Sequence, residues 1–189
     1  MASTPPRTLL LAALLAMCAL LALPVASPAA AKRRTACANA DVAPTAANVA
    51  VVRAAVLCLH NRERGARGLP KLREHAALRE AAEGHSVQMV DAQFFSHDAV
   101  DGRDMVDRIL GAGYARGQAW SLGENIAWGT GPLATAAGIH RSWMRSPGHK
   151  ANILRRQFRE IGIGIAVGAP VDAGGQHGAT YTADFGVRR

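Results

Sequence analysis

The hydrophobic period changes along this chain, and that change restricts its fold more than any other feature. From Thr45 to about Arg67 the residues Val49, Val52, Val56, Leu57 and Leu59 recur on one helical face, which Gly68 and Pro70 bring to a stop. A second helix is expected from about His75 to Ala92, where Leu78, Ala81, Ala82, His85 and Met89 keep the i, i+3, i+4 rule, and a short third from about Arg103 to Ala112. Pro132 to Met144 and His149 to Leu154 read as helical, separated by a Ser146-Pro147-Gly148 turn. Only near the end does the period fall to two. Ile161, Ile163, Ile165 and Val167 alternate within Glu160 to Gly168, and Ala179 to Val187 also carries a strand signal. Helices first and strands last predict an α+β fold and not a doubly wound parallel sheet. Leu122 to Trp128, flanked by glycine, reads as a strand-like or irregular segment of a functional site.

Not all of the 49% hydrophobic content belongs to that fold. Thr8 to Leu23 is an uncharged Leu/Ala run behind Arg7, ended by Pro24 and followed by the small residues Ala29, Ala30 and Ala31. This is the pattern of a secretory signal cleaved after Ala31. The run falls short of the roughly 20 apolar residues that a membrane span needs. The expected division is a signal over residues 1–31, an N-terminal segment over 32–44 and one domain over 45–189. Residues 32–189 are enough for one real core and too few for a multi-domain enzyme.

The signal removes Cys18 and one charge, Arg7, so the formal +8 of the whole chain becomes +7. Cys37 and Cys58 remain, and in an oxidising compartment two cysteines pair in only one way. Their bridge would tie the N-terminal segment to the first helix. A catalytic thiol is the alternative, and it leaves Cys37 unexplained. Arginine supplies 19 of the 22 basic residues, interleaved with acids over most of the chain. Such a balance bears on surface contacts. Anionic cell-wall polymers or membrane surfaces are the expected weak partners. Nucleic acid is not, because no finger spacing and no basic stripe interleaved with aromatics occurs.

Of the seven histidines, His60, His75, His140 and His177 lie among charged or small residues and are expected to be exposed. His85 falls on the apolar face of the second helix, as a hydrogen-bonded core or cleft-wall residue. Three positions stand apart because each ends an element beside glycine or aromatic residues. They are His97 after Phe94-Phe95-Ser96, Glu124 between Gly123 and Asn125, and His149 after Ser146-Pro147-Gly148. Two imidazoles and a carboxylate can bind zinc with an open position for water, or divide acid and base roles near neutral pH. Spacing alone does not bring them together, and no H-E-x-x-H pair is present. Ser96, His97 and Asp98 are the residue types of a nucleophilic triad, but adjacent side chains point apart.

At these residues the sequence resembles a bacterial member of the CAP superfamily, or SCP domain, named for cysteine-rich secretory proteins, antigen 5 and plant pathogenesis-related proteins. The matching stretches are Leu57-Cys-Leu-His-Asn-Arg-Glu-Arg64 with Gly68-Leu-Pro-Lys-Leu72, Gly84-His-Ser-Val-Gln-Met89, Phe94-Phe-Ser-His97 and Gly123-Glu-Asn-Ile-Ala127. They continue with Trp143-Met-Arg-Ser-Pro-Gly-His-Lys-Ala-Asn-Ile-Leu154, Glu160-Ile-Gly-Ile-Gly164 and Tyr181-Thr-Ala-Asp-Phe-Gly186. The resemblance implies an α-β-α sandwich, with a small antiparallel sheet between helical layers. It also implies that His97, Glu124 and His149 converge in one open cleft, which in many relatives holds two histidines and two acids and can bind a divalent metal, often zinc. Animal relatives carry a second Glu a few residues after the Trp. Here Met144, Arg145 and Ser146 follow Trp143, so that acid is missing.

Three functions are consistent with this reading. The favoured one is a secreted binding module whose His97, Glu124 and His149 hold zinc, another divalent metal, or a small polar or lipid ligand, with Glu124 as ligand or behind one, and Trp143, Trp128 and Phe95 stiffening the site. The second is a metal-dependent hydrolase of cell-wall peptide or exported protein, with Glu124 as general base. The third is a structural or interaction module with a vestigial cleft. Asn125 and Asn152 are read either as orienting Glu124 and His149 or as bridges to irregular backbone.

Overall fold

In the computed structural model the described residues are Met1 and 36–189. The expected signal and its cleavage after Ala31, with Cys18, lie outside them. Residues 36–189 fold as one unit. Its elements are α1 (Val49–Gly65), β1 (Arg73–Glu74), α2 (Ala76–Asp91), α3 (Met105–Gly111), β2 (Trp120–Thr130), a 3-10 turn (Gly131–Ala134), α4 (Ala136–Arg145), α5 (Pro147–Leu154), β3 (Glu160–Val167) and β4 (Gly178–Arg188). The sheet order is β1-β3-β4-β2. β3 pairs antiparallel with β4, and β4 antiparallel with β2 over its whole length. The two-residue β1 is the exception to the expected antiparallel sheet, lying parallel to β3.

Alternation in β3 decides which helices cover which face. Ile161, Ile163 and Ile165 point into the larger core, with Tyr181 and Phe185 of β4, Val52, Val56 and Leu59 of α1, Ile139 and Trp143 of α4, Ile153 of α5, and Phe158. Gly162 and Gly164 form the opposite face, and α2 lies directly on them. A Cβ at Gly162 would stand 2.0 Å from the Leu78 carbonyl carbon, and one at Gly164 2.1 Å from the Ala82 carbonyl oxygen. Bare backbone is therefore what lets α2 seat on the sheet. Leu78 and Ala81 of α2 complete a smaller core with Ile109, Tyr114 and Ala115. The result is the expected α-β-α sandwich, with α1, α4 and α5 on one side and α2 and α3 on the other.

Of the two readings of Leu122 to Trp128 the strand is the one that holds, as the middle of an eleven-residue strand. Ser146-Pro147-Gly148 is no free-standing turn. Ser146 is the N-cap of α5 and Pro147 its first residue, a position where a missing N–H costs nothing. After α2, Phe94 is half-buried and Phe95 43% exposed. The Cys37–Cys58 disulfide forms, with Cα atoms 5.8 Å apart. It holds the segment before α1 where Ala40 accepts a backbone hydrogen bond from Ala137, 2.8 Å away.

Arg64 at the end of α1 is wholly buried without a carboxylate partner. Its guanidinium donates to the carbonyls of Pro70 (2.8 Å), Ile153 (2.9 Å), Arg155 (3.0 Å) and Phe158 (2.9 Å). One side chain thereby gathers the end of α5 and the approach to β3. Burial, and then the charge of Arg159, lower its pKa to about 10, so it stays cationic at neutral pH.

His60 and His140 are buried, against the expectation of exposure, whereas His75 is half-buried and His177 exposed. Position 60 follows Val56 by four and position 140 precedes Trp143 by three, so both lie on the apolar faces of α1 and α4. Their Nδ1 atoms are 3.2 Å apart, and the His60 ring meets Trp143 edge-on and stacks on Phe185. Burial is the main cause that lowers both pKa values, that of His140 to about 4 from an ordinary 6.5. The unfolded chain takes up these protons below about 6.5, and the folded protein does not. Stability is therefore complete above that pH and is lost as pH falls toward 4, by about 3 kcal/mol from His140 alone. Urea titrations across this range should show that loss, and His140→Phe should flatten it.

Candidate functional site

The site is assembled from the α2–α3 loop, α3, β2 and α5. The loop begins where Gln93 takes a left-handed conformation (φ 50°) and ends α2. Ser96 is then fixed by its carbonyl, which accepts from His85 Nε2 at 2.9 Å. His97 follows, with its side chain 54% exposed. Farther on, Asp104 and Asp107 form a reciprocal capping box at the start of α3. That box sets the direction of the next residue, Arg108, which sequence reasoning did not single out.

Glu124 lies inward from His97, its side chain only 2% exposed. His97 Nδ1 donates to its Oε1 at 2.6 Å, and Arg108 Nη2 donates to its Oε2 at 2.5 Å. Arg108 Nη1 also donates to the His97 carbonyl at 2.7 Å. Arginine thus clamps the backbone of His97 and the carboxylate that holds the ring. Burial pushes the Glu124 carboxyl up, but the His97 hydrogen bond and the Arg108 charge outweigh it and place the pKa below the usual range. Glu124 is therefore an anion at neutral pH. The same hydrogen bond, opposed by partial burial, raises the His97 pKa.

His149 stands half-buried in the first turn of α5. Asn125 and Asn152 place it. Asn125 Nδ2 donates to the His149 carbonyl at 3.0 Å, and Asn152 Nδ2 donates to Asn125 Oδ1 at 2.9 Å and the Glu124 carbonyl at 3.1 Å. Gly123 leaves room for this, since a Cβ there would lie 3.1 Å from Asn152 Oδ1. Of the two readings of these amides, the backbone bridge is the one observed, and through it they join α5 to β2. Burial, and next the charge of His97, lower the His149 pKa, so the two imidazoles feel each other electrostatically. Trp143 is buried, and its Nε1 donates to the Ile126 carbonyl at 3.1 Å, stiffening β2 behind the site. Trp128 and Phe95, expected to share that task, are exposed. Ser96 Oγ accepts from the Asp98 amide, and the His97 ring is hydrogen-bonded to Glu124 and not to Ser96.

One further acid was missed. Asp184 of β4 pairs directly across from Glu124 in the β2–β4 register and is completely buried. Position 184 lies in the Tyr181-Thr-Ala-Asp-Phe-Gly186 stretch, yet only the pairing register shows that it meets Glu124. The Glu that animal relatives carry after the Trp is missing here, as the sequence shows, but a second carboxyl stands beside Glu124.

Residues 57–183 match the CAP family, the cysteine-rich secretory protein family. The chain belongs to this family. It is 34% identical over 109 residues to the uncharacterized protein YkwD of Bacillus subtilis (strain 168), covering 58% of this chain and 40% of that protein. Among solved structures it resembles an extracellular SCP-domain protein from Bacillus anthracis, at 28% identity and TM-score 0.56 over 73% of this chain and 40% of the other. It also resembles an outer surface protein of Borrelia burgdorferi, at 16% identity and TM-score 0.58 over 77% and 96% respectively, a likeness of fold alone. This chain spans less than half the length of the two Bacillus proteins.

CAP members share the scaffold, and what each does is decided by its own site. Among the described residues no three or more His, Cys, Asp or Glu side chains are grouped to hold a metal ion. Each Glu124 oxygen already accepts a hydrogen bond and the side chain is only 2% exposed, the arrangement of a carboxylate that lies behind a histidine. The donors left for a cation are His97 Nε2 and the His149 ring. Two imidazoles fit a divalent metal whose remaining positions are filled by water or ligand, and not a closed four-ligand structural site.

Proposed function

We propose that this protein is an extracellular CAP module whose cleft binds a divalent cation, zinc being the type case, between His97 and His149. The observation that carries the reading is the His97 Nδ1–Glu124 hydrogen bond at 2.6 Å, which fixes the tautomer so that an exposed ring offers Nε2 outward. Metal-binding histidines characteristically spend their other nitrogen on such a carboxylate. When bound, the cation would supply a Lewis-acidic centre open to a small polar ligand. A location outside the cell is supported by the Thr8 to Leu23 run and by the extracellular relative from Bacillus anthracis. Among the described residues no helix is long and apolar enough to cross a membrane.

Binding is favoured over hydrolysis because a general base must reach the water it deprotonates, and Glu124 is almost wholly buried with its oxygens turned to His97 and Arg108. Isothermal titration with zinc should show binding that His97→Ala/His149→Ala abolishes. Affinity should rise with pH, because the cation competes with a proton on His97, whose pKa is raised. Equal affinity in wild type and double variant would refute the proposal.

A further inference from the structure

Unpartnered buried polar atoms are scarce in folded proteins. Among the described residues they belong to His60 and His140 in the main core and to His85, Arg108 and Asp184 around Glu124. His85 and Arg108 at least border open space, since both residues line a cleft of about 310 Å³ between α2 and α3, with Gly84, Gln88 and Arg103. Asp184 is not among its lining residues, and neither of its oxygens has a donor.

None of the side chains packed around it is hydrogen-bonded to it. From α2, His85 spends Nε2–H on the Ser96 carbonyl, which leaves Nδ1 a lone pair, and Ser86 Oγ donates to Thr182 Oγ1 at 2.9 Å. From α3, the Arg108 Nη atoms serve His97 and Glu124, and its Nε has no bond to Asp184. From β3 the register partner is Gly162, which has no side chain. From β2 the partner is Glu124, itself anionic and directly opposite in the register, so that the two side chains lie side by side on one face of the sheet. Two buried carboxylates side by side cannot both ionise, and an isolated charge without donors is far too costly to bury.

We propose that Asp184 is held in the fold as the uncharged acid and donates its hydroxyl hydrogen to Glu124, serving as a positioning residue for His97. One proton then satisfies both carboxyls. Glu124 accepts from three directions, Asp184, Arg108 and His97, and cannot rotate away from the ring. Its value to the site rests on the reading of His97 as the residue that faces the ligand. Burial and the neighbouring Glu124 charge both push the Asp184 carboxyl well above its ordinary pKa, in agreement with this assignment.

Infrared spectroscopy of the metal-free protein at neutral pH tests the proton directly. A carboxylic-acid C=O band should be present in the wild type and missing in Asp184→Asn. No such band, or one that persists in the variant, would overturn the proposal. The positioning role is tested by the His97 Nδ1–H resonance in proton NMR. Asp184→Asn, whose amide can still donate to Glu124, should retain it, and Asp184→Ala should lose it to exchange. An Asn variant that loses the resonance, or an Ala variant that folds and keeps it, would contradict the role. If Ala fails to fold, the infrared band and the Asn variant decide. Neither readout involves zinc, so absence of zinc binding would count against the cation reading and leave the Asp184 assignment standing.

Discussion

Replacing Arg108 with alanine is expected to destabilise the protein by about 3–5 kcal/mol, the range for breaking a buried ion pair on one side. The cause is what remains. Glu124 would keep its burial with one hydrogen-bonded partner fewer, and the His97 carbonyl would lose its donor. Denaturant unfolding at neutral pH measures the loss. The deficit should narrow in acid, because the variant's Glu124, no longer held down by a neighbouring cation, takes up a proton more readily. Hydrogen exchange should locate the damage at His97 to Ala99. Arg108→Lys should restore little, since an ammonium is a point charge and cannot reach Glu124 Oε2 and the His97 carbonyl together as a planar fork does. If Arg108→Ala is as stable as the wild type, the clamp is not what holds the loop.

Arg64→Met should cost about 4 kcal/mol, a size reserved for buried networks and cavities. Methionine fills part of the same volume but leaves the Pro70 and Ile153 carbonyls without the donor they had, and the Arg155 and Phe158 carbonyls with only the Phe158 amide and Arg159 Nη1 respectively. The effect should reach the site through α5, because Ile153 and His149 share that helix. Urea denaturation gives the magnitude, and the His149 ring resonances should shift although position 64 does not touch them. A Met variant within about 1 kcal/mol of the wild type would mean that water replaces the guanidinium, which would contradict its complete burial.

How much of this was legible depended on whether the cause lay within one segment. The Ile161, Ile163, Ile165 alternation and the helical spacing in α1 and α2 are local, and the α+β fold followed from them. His60 and His140 obey the same spacing, but their charged neighbours in sequence concealed it. His97, Glu124 and His149 were found by their places at element ends, and the structure joins His97 to Glu124 by a hydrogen bond and ties the His149 backbone to Asn125, the neighbour of Glu124. Arg108 and Asp184 could not be found that way. Their roles come from a helix crossing and a strand register, and only the assembled sheet sets Asp184 against Glu124. Gly162 and Gly164 were read simply as members of a strand, whereas their function is to let α2 lie on the sheet.

The central claim is that Glu124 holds His97 so that Nε2 faces the cleft beside His149. Nitrogen-15 NMR of the histidine rings, at a pH high enough to deprotonate His97, measures this directly. The account predicts the Nδ1–H tautomer for His97, with zinc perturbing the unprotonated nitrogens of His97 and His149 and leaving His60, His85 and His140 unmoved. An Nε2–H tautomer at His97, or zinc shifts confined to other histidines, would contradict it.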